Sequence, residues 1–248
     1  KIRRRKIVST NIVQIENLVK RYGNLVALDH LNLSISEGEV FGLLGPNGSG
    51  KTTAINCMLS LLKYDKGSIH IFGEEMRPDN YKVKQQIGIV LQNVAVFDEL
   101  TVYENIDYFC GLYVPDKRKR KELVEEAITF TDLNDYRKMR PKKLSGGLLR
   151  RLNIACGIAH KPRLIIMDEP FVGLDPKAAH LLKEMMHQVC DGGSAIFFST
   201  HVLEVAEKLC DKVAIIKGGQ LIRSGTMEEV KGDDSLEDVF LELEEEKC

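Results

Sequence analysis

Gly45-Pro46-Asn47-Gly48-Ser49-Gly50-Lys51-Thr52-Thr53 is the stretch from which the rest of this chain is read. It fits G-x-x-x-x-G-K-[ST], a phosphate-binding loop. Val40-Phe41-Gly42-Leu43-Leu44 precedes it as a buried strand, and residues 53–59 follow as a helix with an apolar face. A strand, a glycine-rich turn and a helix start, in that order, make an anion site. Small residues let the backbone turn tightly and aim its N–H groups inward, and the helix dipole adds positive potential at the same end. In that frame Lys51 reaches the β- and γ-phosphates of a nucleotide, the Thr52 hydroxyl ligates Mg²⁺, and Thr53 lies near the α-phosphate. A glycine-rich turn that binds nothing is the bland alternative, and the flanking strand and helix weigh against it.

The chain has 248 residues, enough for a large core in one domain or two lobes. Its net charge of −1 gives no global reason to expect nucleic acid or membrane lipid as a partner. Charge is uneven: residues 1–6 and 117–121 are basic and residues 242–246 acidic, runs that usually form solvated faces. Cys57, Cys110, Cys156, Cys190, Cys210 and Cys248 show no C-x-x-C pair and no metal spacing, and read as reduced thiols of a cytosolic protein. No apolar run reaches bilayer-spanning length. No secretory signal is expected, because the basic start is not followed by an apolar segment.

Strands are expected over 11–22, 27–35 and 68–73, with Tyr22 in the turn that follows the first, placed either to stack on a base or to cap the sheet. Residues 85–91 form another strand, ending at Gln92. Residues 101–113 and 118–131 carry apolar residues at helical spacing. Thr101 and Glu104 make a capping box for the first of these helices, and Pro115 separates the two. A helical insert therefore interrupts the α/β pattern. It ends at Leu144-Ser145-Gly146-Gly147, where Ser145 N-caps a helix over 148–160 and offers a second set of helix-start amides. Arg163-Leu164-Ile165-Ile166-Met167-Asp168-Glu169-Pro170 is a buried strand ending in two carboxylates. Ligands bind at that edge of an open parallel sheet, so Asp168 is placed to hold Mg²⁺ and Glu169 to polarise a water; the bland reading is a pair of acids capping the next helix. A helix over 177–189 follows. A strand over 195–198 leads into Ser199-Thr200-His201, a hairpin turns at Gly218-Gly219, and residues 227–247 read as helix with an acidic end.

Taken together, and in this order, these motifs resemble the ATP-binding cassette family, the nucleotide-binding subunits of membrane transporters; the likeness covers roughly residues 12–225. It implies an α/β phosphate-loop NTPase core with a mainly parallel sheet, an N-terminal antiparallel β subdomain and an inserted α-helical subdomain. The cassette would span 11–231 with the insert at about 93–160, and 232–248 would form an acidic helical tail. The resemblance implies ATP contacts from Tyr22, stacked on adenine, and from Asn47, Gly48, Ser49, Gly50, Lys51, Thr52 and Thr53. It implies Mg²⁺ ligation by Thr52, Gln92 and Asp168, and catalysis by Glu169, His201, Gln92 and Lys51, with His201 sensing the γ-phosphate. Leu144-Ser145-Gly146-Gly147 looks like the signature motif, through which Ser145 and Gly147 of a second cassette would close over the nucleotide. Leu174-Asp175 matches the loop that communicates across that dimer. Two positions depart from the usual pattern: Leu148 stands where Gln commonly follows the signature glycines, and Phe171 where Thr commonly follows Glu-Pro.

The implied activity is Mg²⁺-dependent ATP hydrolysis driving a separate transmembrane permease from the cytoplasmic face of the membrane, with a second cassette as dimer partner. The tail Ser235-Leu236-Glu237-Asp238-Val239-Phe240 is similar to cassettes serving drug-, polysaccharide- or ion-export permeases. The rival readings are a soluble cassette ATPase acting on ribosomes or DNA, and a nucleotide-dependent regulatory module without turnover. The first usually carries two cassettes or a long coiled-coil insertion, neither of which occurs here, and intact Glu169 and His201 argue against the second.

Overall fold

The first strand, β1 (Asn11–Tyr22), does not follow a single alternation, and its backbone gives the reason. Ile15 and Leu18 are both buried although three residues apart, because a bulge lies between them and Asn17 adopts φ 49°. The Asn32 side chain accepts from the Asn17 N–H at 2.9 Å and pins the irregularity. Tyr22, placed in a turn by the sequence, is instead the last paired residue of the strand, opposite Leu25. The computed structural model describes residues 10–245; the basic start at 1–6, Glu246 and Cys248 lie outside them.

The described chain forms two compact units, residues 10–83 with 202–245, and residues 84–201. In the first, β1 pairs antiparallel with β2 (Leu25–Ser36) and β4 (Lys66–Ile71), and β4 with the two-residue β5 (Glu74–Glu75). This is the expected antiparallel N-terminal sheet. Between β2 and β4 come β3 (Val40–Leu44), buried throughout, and α1 (Lys51–Met58). The single turn α2 (Tyr81–Lys84) follows β5. Further along the chain, β3 runs parallel to β9 (Lys212–Lys217), which pairs antiparallel with β10 (Gln220–Thr226) across Gly218-Gly219.

The second unit holds β6 (Ile87–Val90), β7 (Leu164–Asp168) and β8 (Ala195–Thr200), all parallel with β7 in the middle. Its helices are α3 (Val102–Gly111), α4 (Lys117–Phe130), α5 (Gly146–Ile158) and α6 (Pro176–Asp191). The predicted Thr101–Glu104 capping box is present at α3, Asp116 caps α4 and Asp175 caps α6. Val102, Ile106, Val124, Ile128 and Leu152 knit α3, α4 and α5 into one apolar core, each such side chain stabilising by about 1.5–3 kcal/mol. The helix α5 lies close on β6: a Cβ at Gly88 would stand 2.3 Å from the Gly157 carbonyl oxygen.

The C-terminal part differs from expectation. A short helix, α7 (Leu203–Leu209), follows β8 where none was predicted; it is only seven residues long, with Ala206 and Leu209 buried. The helix expected over 227–247 is two, α8 (Met227–Lys231) and α9 (Leu236–Glu245). Gly232 takes φ 61° and ends the first, and Ser235 reopens the second by accepting from the Asp238 N–H at 3.0 Å. The five described cysteines are buried; burial pushes the thiols of Cys57 and Cys110 up to about 11, as befits small hydrophobes. Among the described residues no helix is long and apolar enough to cross a membrane.

Candidate functional site

The residues singled out in the sequence fall into two groups, one in each unit. In the first, β3 delivers the chain into the loop at Gly45 and α1 begins at Lys51. Two glycines are demanded by close approach. A Cβ at Gly45 would stand 2.2 Å from the Ile216 carbonyl oxygen, and one at Gly50, where φ is 109°, 2.6 Å from the Ala27 oxygen. At Gly48, with φ 78°, a Cβ would meet open space, so the positive φ of the turn rather than close approach favours glycine there. The loop is tied by Ser49 N–H to the Pro46 oxygen at 3.2 Å and by Gly219 N–H to the Ser49 oxygen at 3.0 Å.

The N-cap residue of α1, Gly50, makes no side-chain cap bond, which suits an anion-binding helix start. Lys51 is buried and its ammonium donates to the carbonyls of Gly45 at 2.8 Å and Pro46 at 3.2 Å, so its charge sits directly over the loop. The Ser49 hydroxyl is buried with no hydrogen-bond partner. Asn47, Gly48 and Thr52 are exposed and Thr53 half-buried. A tight glycine cradle, an uncapped helix start and a fixed cation are a donor set for phosphate. Tyr22 is 48% exposed, as a base-stacking platform must be, and the Lys20 ammonium lies 5.0 Å from its ring centroid.

In the second unit the parallel register of β6, β7 and β8 carries Gln92, Asp168, Glu169 and His201 to one strand edge, because each stands at or just past the C-terminal end of its strand. Asp168 and Glu169 are both buried. Asp168 pairs with Ser199 of β8 in register. The Ser199 hydroxyl donates to Asp168 Oδ1 and accepts from the Glu169 N–H at 3.0 Å. Glu169 holds a left-handed backbone, φ 47°, uncommon for a residue with a Cβ. Its Oε2 is 3.0 Å from His201 Nδ1. An ionised carboxylate can only accept, so Nδ1 carries the proton in this pairing.

Ser145 caps α5 as expected, its hydroxyl accepting from the Leu148 N–H at 3.4 Å. The helix begins at Gly146 rather than Leu148, so the two glycines lie within its first turn. Gly146 faces open space, whereas a Cβ at Gly147 would meet Ala178 at 3.4 Å. Both unusual residues are absorbed by packing: Leu148 lies against the helical core, and Phe171 is buried edge-to-face with Phe198 at 5.9 Å.

Two residues were not found from sequence. Ser199 was read only as part of a strand end; the signal was a hydroxyl closing an otherwise apolar strand. Arg150 is buried on α5 and reaches the turn after β7 and the loop after β6. Its signal was a cation four residues after Gly146, within the apolar pattern of the helix.

A family profile for the ABC transporter matches residues 28–172. The chain belongs to the ABC transporter family. The linearmycin resistance ATP-binding protein LnrL of Bacillus subtilis is 37% identical over 87% of this chain and 69% of its own length. The Nod factor export ATP-binding protein I of Ralstonia nicotianae is 36% identical over 90% of this chain and 70% of its own. A solved ATP-binding subunit of an ABC transporter superposes with a TM-score of 0.86 at 27% identity, covering 94% of this chain and 99% of that one. The mixed α/β fold of this ABC ATPase, with its antiparallel N-terminal sheet and parallel-rich core, is that of the family. It is an ATP-binding, ATP-hydrolysing subunit of the transporter type.

Proposed function

We propose that this subunit hydrolyses Mg²⁺-ATP to drive export through a separate permease, with Glu169 polarising the attacking water. One observation carries the catalytic assignment. Glu169 is buried at the end of β7, paired with His201 Nδ1, and its backbone is fixed by Ser199, which also engages Asp168. Water attacks the γ-phosphorus and the bond to the bridging oxygen breaks; ADP leaves with the electron pair and a water proton passes to Glu169. Little covalent chemistry is asked of the protein, so fixed positions and charges carry the rate.

Lys51, the loop amides of Asn47, Gly48, Ser49 and Gly50, and Thr53 bind the phosphates, and Tyr22 stacks on the base. Thr52, Gln92 and Asp168 would hold Mg²⁺, whose charge offsets that of the phosphates when bound. Among the described residues no cluster of three His, Cys, Asp or Glu could hold a metal. Mg²⁺ keeps its waters and takes one or two carboxylates plus substrate phosphate, and the donor types of Asp168, Thr52 and Gln92, one carboxylate and two neutral oxygens, suit it. Export is inferred from relatives named for resistance and Nod factor export. The permease contact is assigned to the loop after β6, where Phe97 is 46% exposed and stacks with Phe109.

The deciding experiment is Glu169→Gln. ATP binding should persist while turnover falls by about 10²–10⁴-fold; wild-type turnover would overturn the assignment. Dimer closure through Ser145 and Gly147 of a second copy is tested by mixing Lys51→Ala with Ser145→Arg in the transporter assembly. A mixed dimer has one site with both lesions and one with neither, so activity should return. No rescue at any ratio places the whole site in one chain.

A further inference from the structure

Arg150 is the one charged side chain of α5 that is buried, and the hydrogen-bond acceptors of its guanidinium are four main-chain carbonyls. Nε donates to the Pro170 oxygen at 3.0 Å and Nη2 to the Glu169 oxygen at 2.9 Å. Nη1 donates to the Leu91 oxygen at 2.8 Å and the Gln92 oxygen at 3.0 Å. A buried guanidinium is costly unless its hydrogen bonds are made, and here they are made to two loops far apart in sequence. Asn153, one turn further along α5, adds a bond to the Leu91 oxygen at 3.1 Å.

We propose that Arg150 is a positioning residue that locks the backbone of Glu169 to the loop bearing Gln92. This rests on the reading of Glu169 as the water-polarising group. The φ of 47° at Glu169 is sparsely populated for a residue with a Cβ, and such a conformation persists only where surrounding contacts fix it. Ser199 holds the N–H of that residue and Arg150 its C=O, so both backbone polar groups are clamped and the side chain is aimed at His201. The same guanidinium holds the first residues past β6. A shift of that loop therefore moves the carboxylate, and the two cannot be displaced independently. Lysine at this position keeps the charge but loses the planar fan that spans both loops.

The test uses the full chain in its transporter assembly with ATP as probe. Arg150→Lys should lower kcat by roughly 10–100-fold, the scale of a small misplacement of a reacting group, with KM changed less than about twofold. Arg151→Lys is the control: its neighbouring guanidinium bonds Asp132 instead, and kcat should stay. In a Glu169→Gln background Arg150→Lys should add less than about a twofold loss, because a residue acting through Glu169 has nothing left to position. Hydrogen exchange should rise at residues 91–93 and 169–172 and not across the rest of the unit. Unchanged kcat, a loss that multiplies fully with that of Glu169→Gln, or a uniform rise in exchange overturns the proposal. Wild-type turnover in Glu169→Gln alone overturns the catalytic reading instead. Should Arg150→Lys fail to melt cooperatively, Arg150→Gln carries the same cycle. Failure of both to fold makes the guanidinium a folding requirement and overturns the positioning role.

Discussion

Replacing Ser199 by alanine should cost far more than one hydroxyl on a surface would. The Ser199 side chain is fully buried and serves two neighbours, donating to Asp168 Oδ1 and accepting from the Glu169 N–H. Alanine leaves a buried N–H without its acceptor and removes a donor from a buried carboxylate. Each buried group left unsatisfied costs about 1–3 kcal/mol, with charged groups at the upper end. The substitution should therefore destabilise the protein by about 3 kcal/mol. Turnover should fall as well, because the Glu169 N–H loses the hydroxyl that holds it. Urea unfolding with the slope m compared between variants measures the first effect, and steady-state phosphate release the second. The sequence-matched control is Ser194→Ala, which loses a single bond to the Pro162 oxygen at the opposite end of β8, expected to cost about 1 kcal/mol and no activity. A loss below about 1 kcal/mol with unchanged turnover in Ser199→Ala would refute the account of this strand edge.

Lys51→Ala should remove the charge over the phosphate loop and weaken ATP binding by at least about tenfold, a change of roughly 1.4 kcal/mol, read by nucleotide titration. Tyr22→Ala should weaken adenine nucleotides by about 1–3 kcal/mol, the scale of base–aromatic stacking; equal affinity would return Tyr22 to a role in capping its sheet. His160 stacks on Tyr113 with centroids 3.9 Å apart and bonds the Ile87 oxygen at 3.3 Å, and burial depresses its pKa to about 4. The folded pKa lies below the unfolded one, so the unfolded state takes up the proton first. Stability should be fully present above about pH 6.5 and decline toward pH 4, by up to about 3 kcal/mol. His160→Gln should flatten this acid limb in denaturant melts recorded across that range, and an unchanged limb would assign it to other groups.

The features legible in the sequence are those set by near neighbours. The glycine-rich loop, the Thr101–Glu104 capping box, the Ser145 cap and the turn at Gly218-Gly219 each depend on residues within about one turn of one another. The unbroken apolar run ending at Asp168 marked a buried strand ending in two carboxylates for the same reason. The bulge at Asn17 was not legible, because it is held by Asn32 on the neighbouring strand. Nor was the break at Gly232 foreseen, since an isolated glycine is tolerated in many helices and here its positive φ ends one. Ser199 comes opposite Asp168 only once β7 and β8 align in parallel register, across 31 residues of chain. Arg150 meets Gln92 only when α5 lies close on β6, across 58 residues. The sequence determined which residues have the chemistry for phosphate and water. Tertiary packing decided which backbone groups hold them in place, because hydrogen bonds between distant segments follow strand register and helix docking rather than local periodicity.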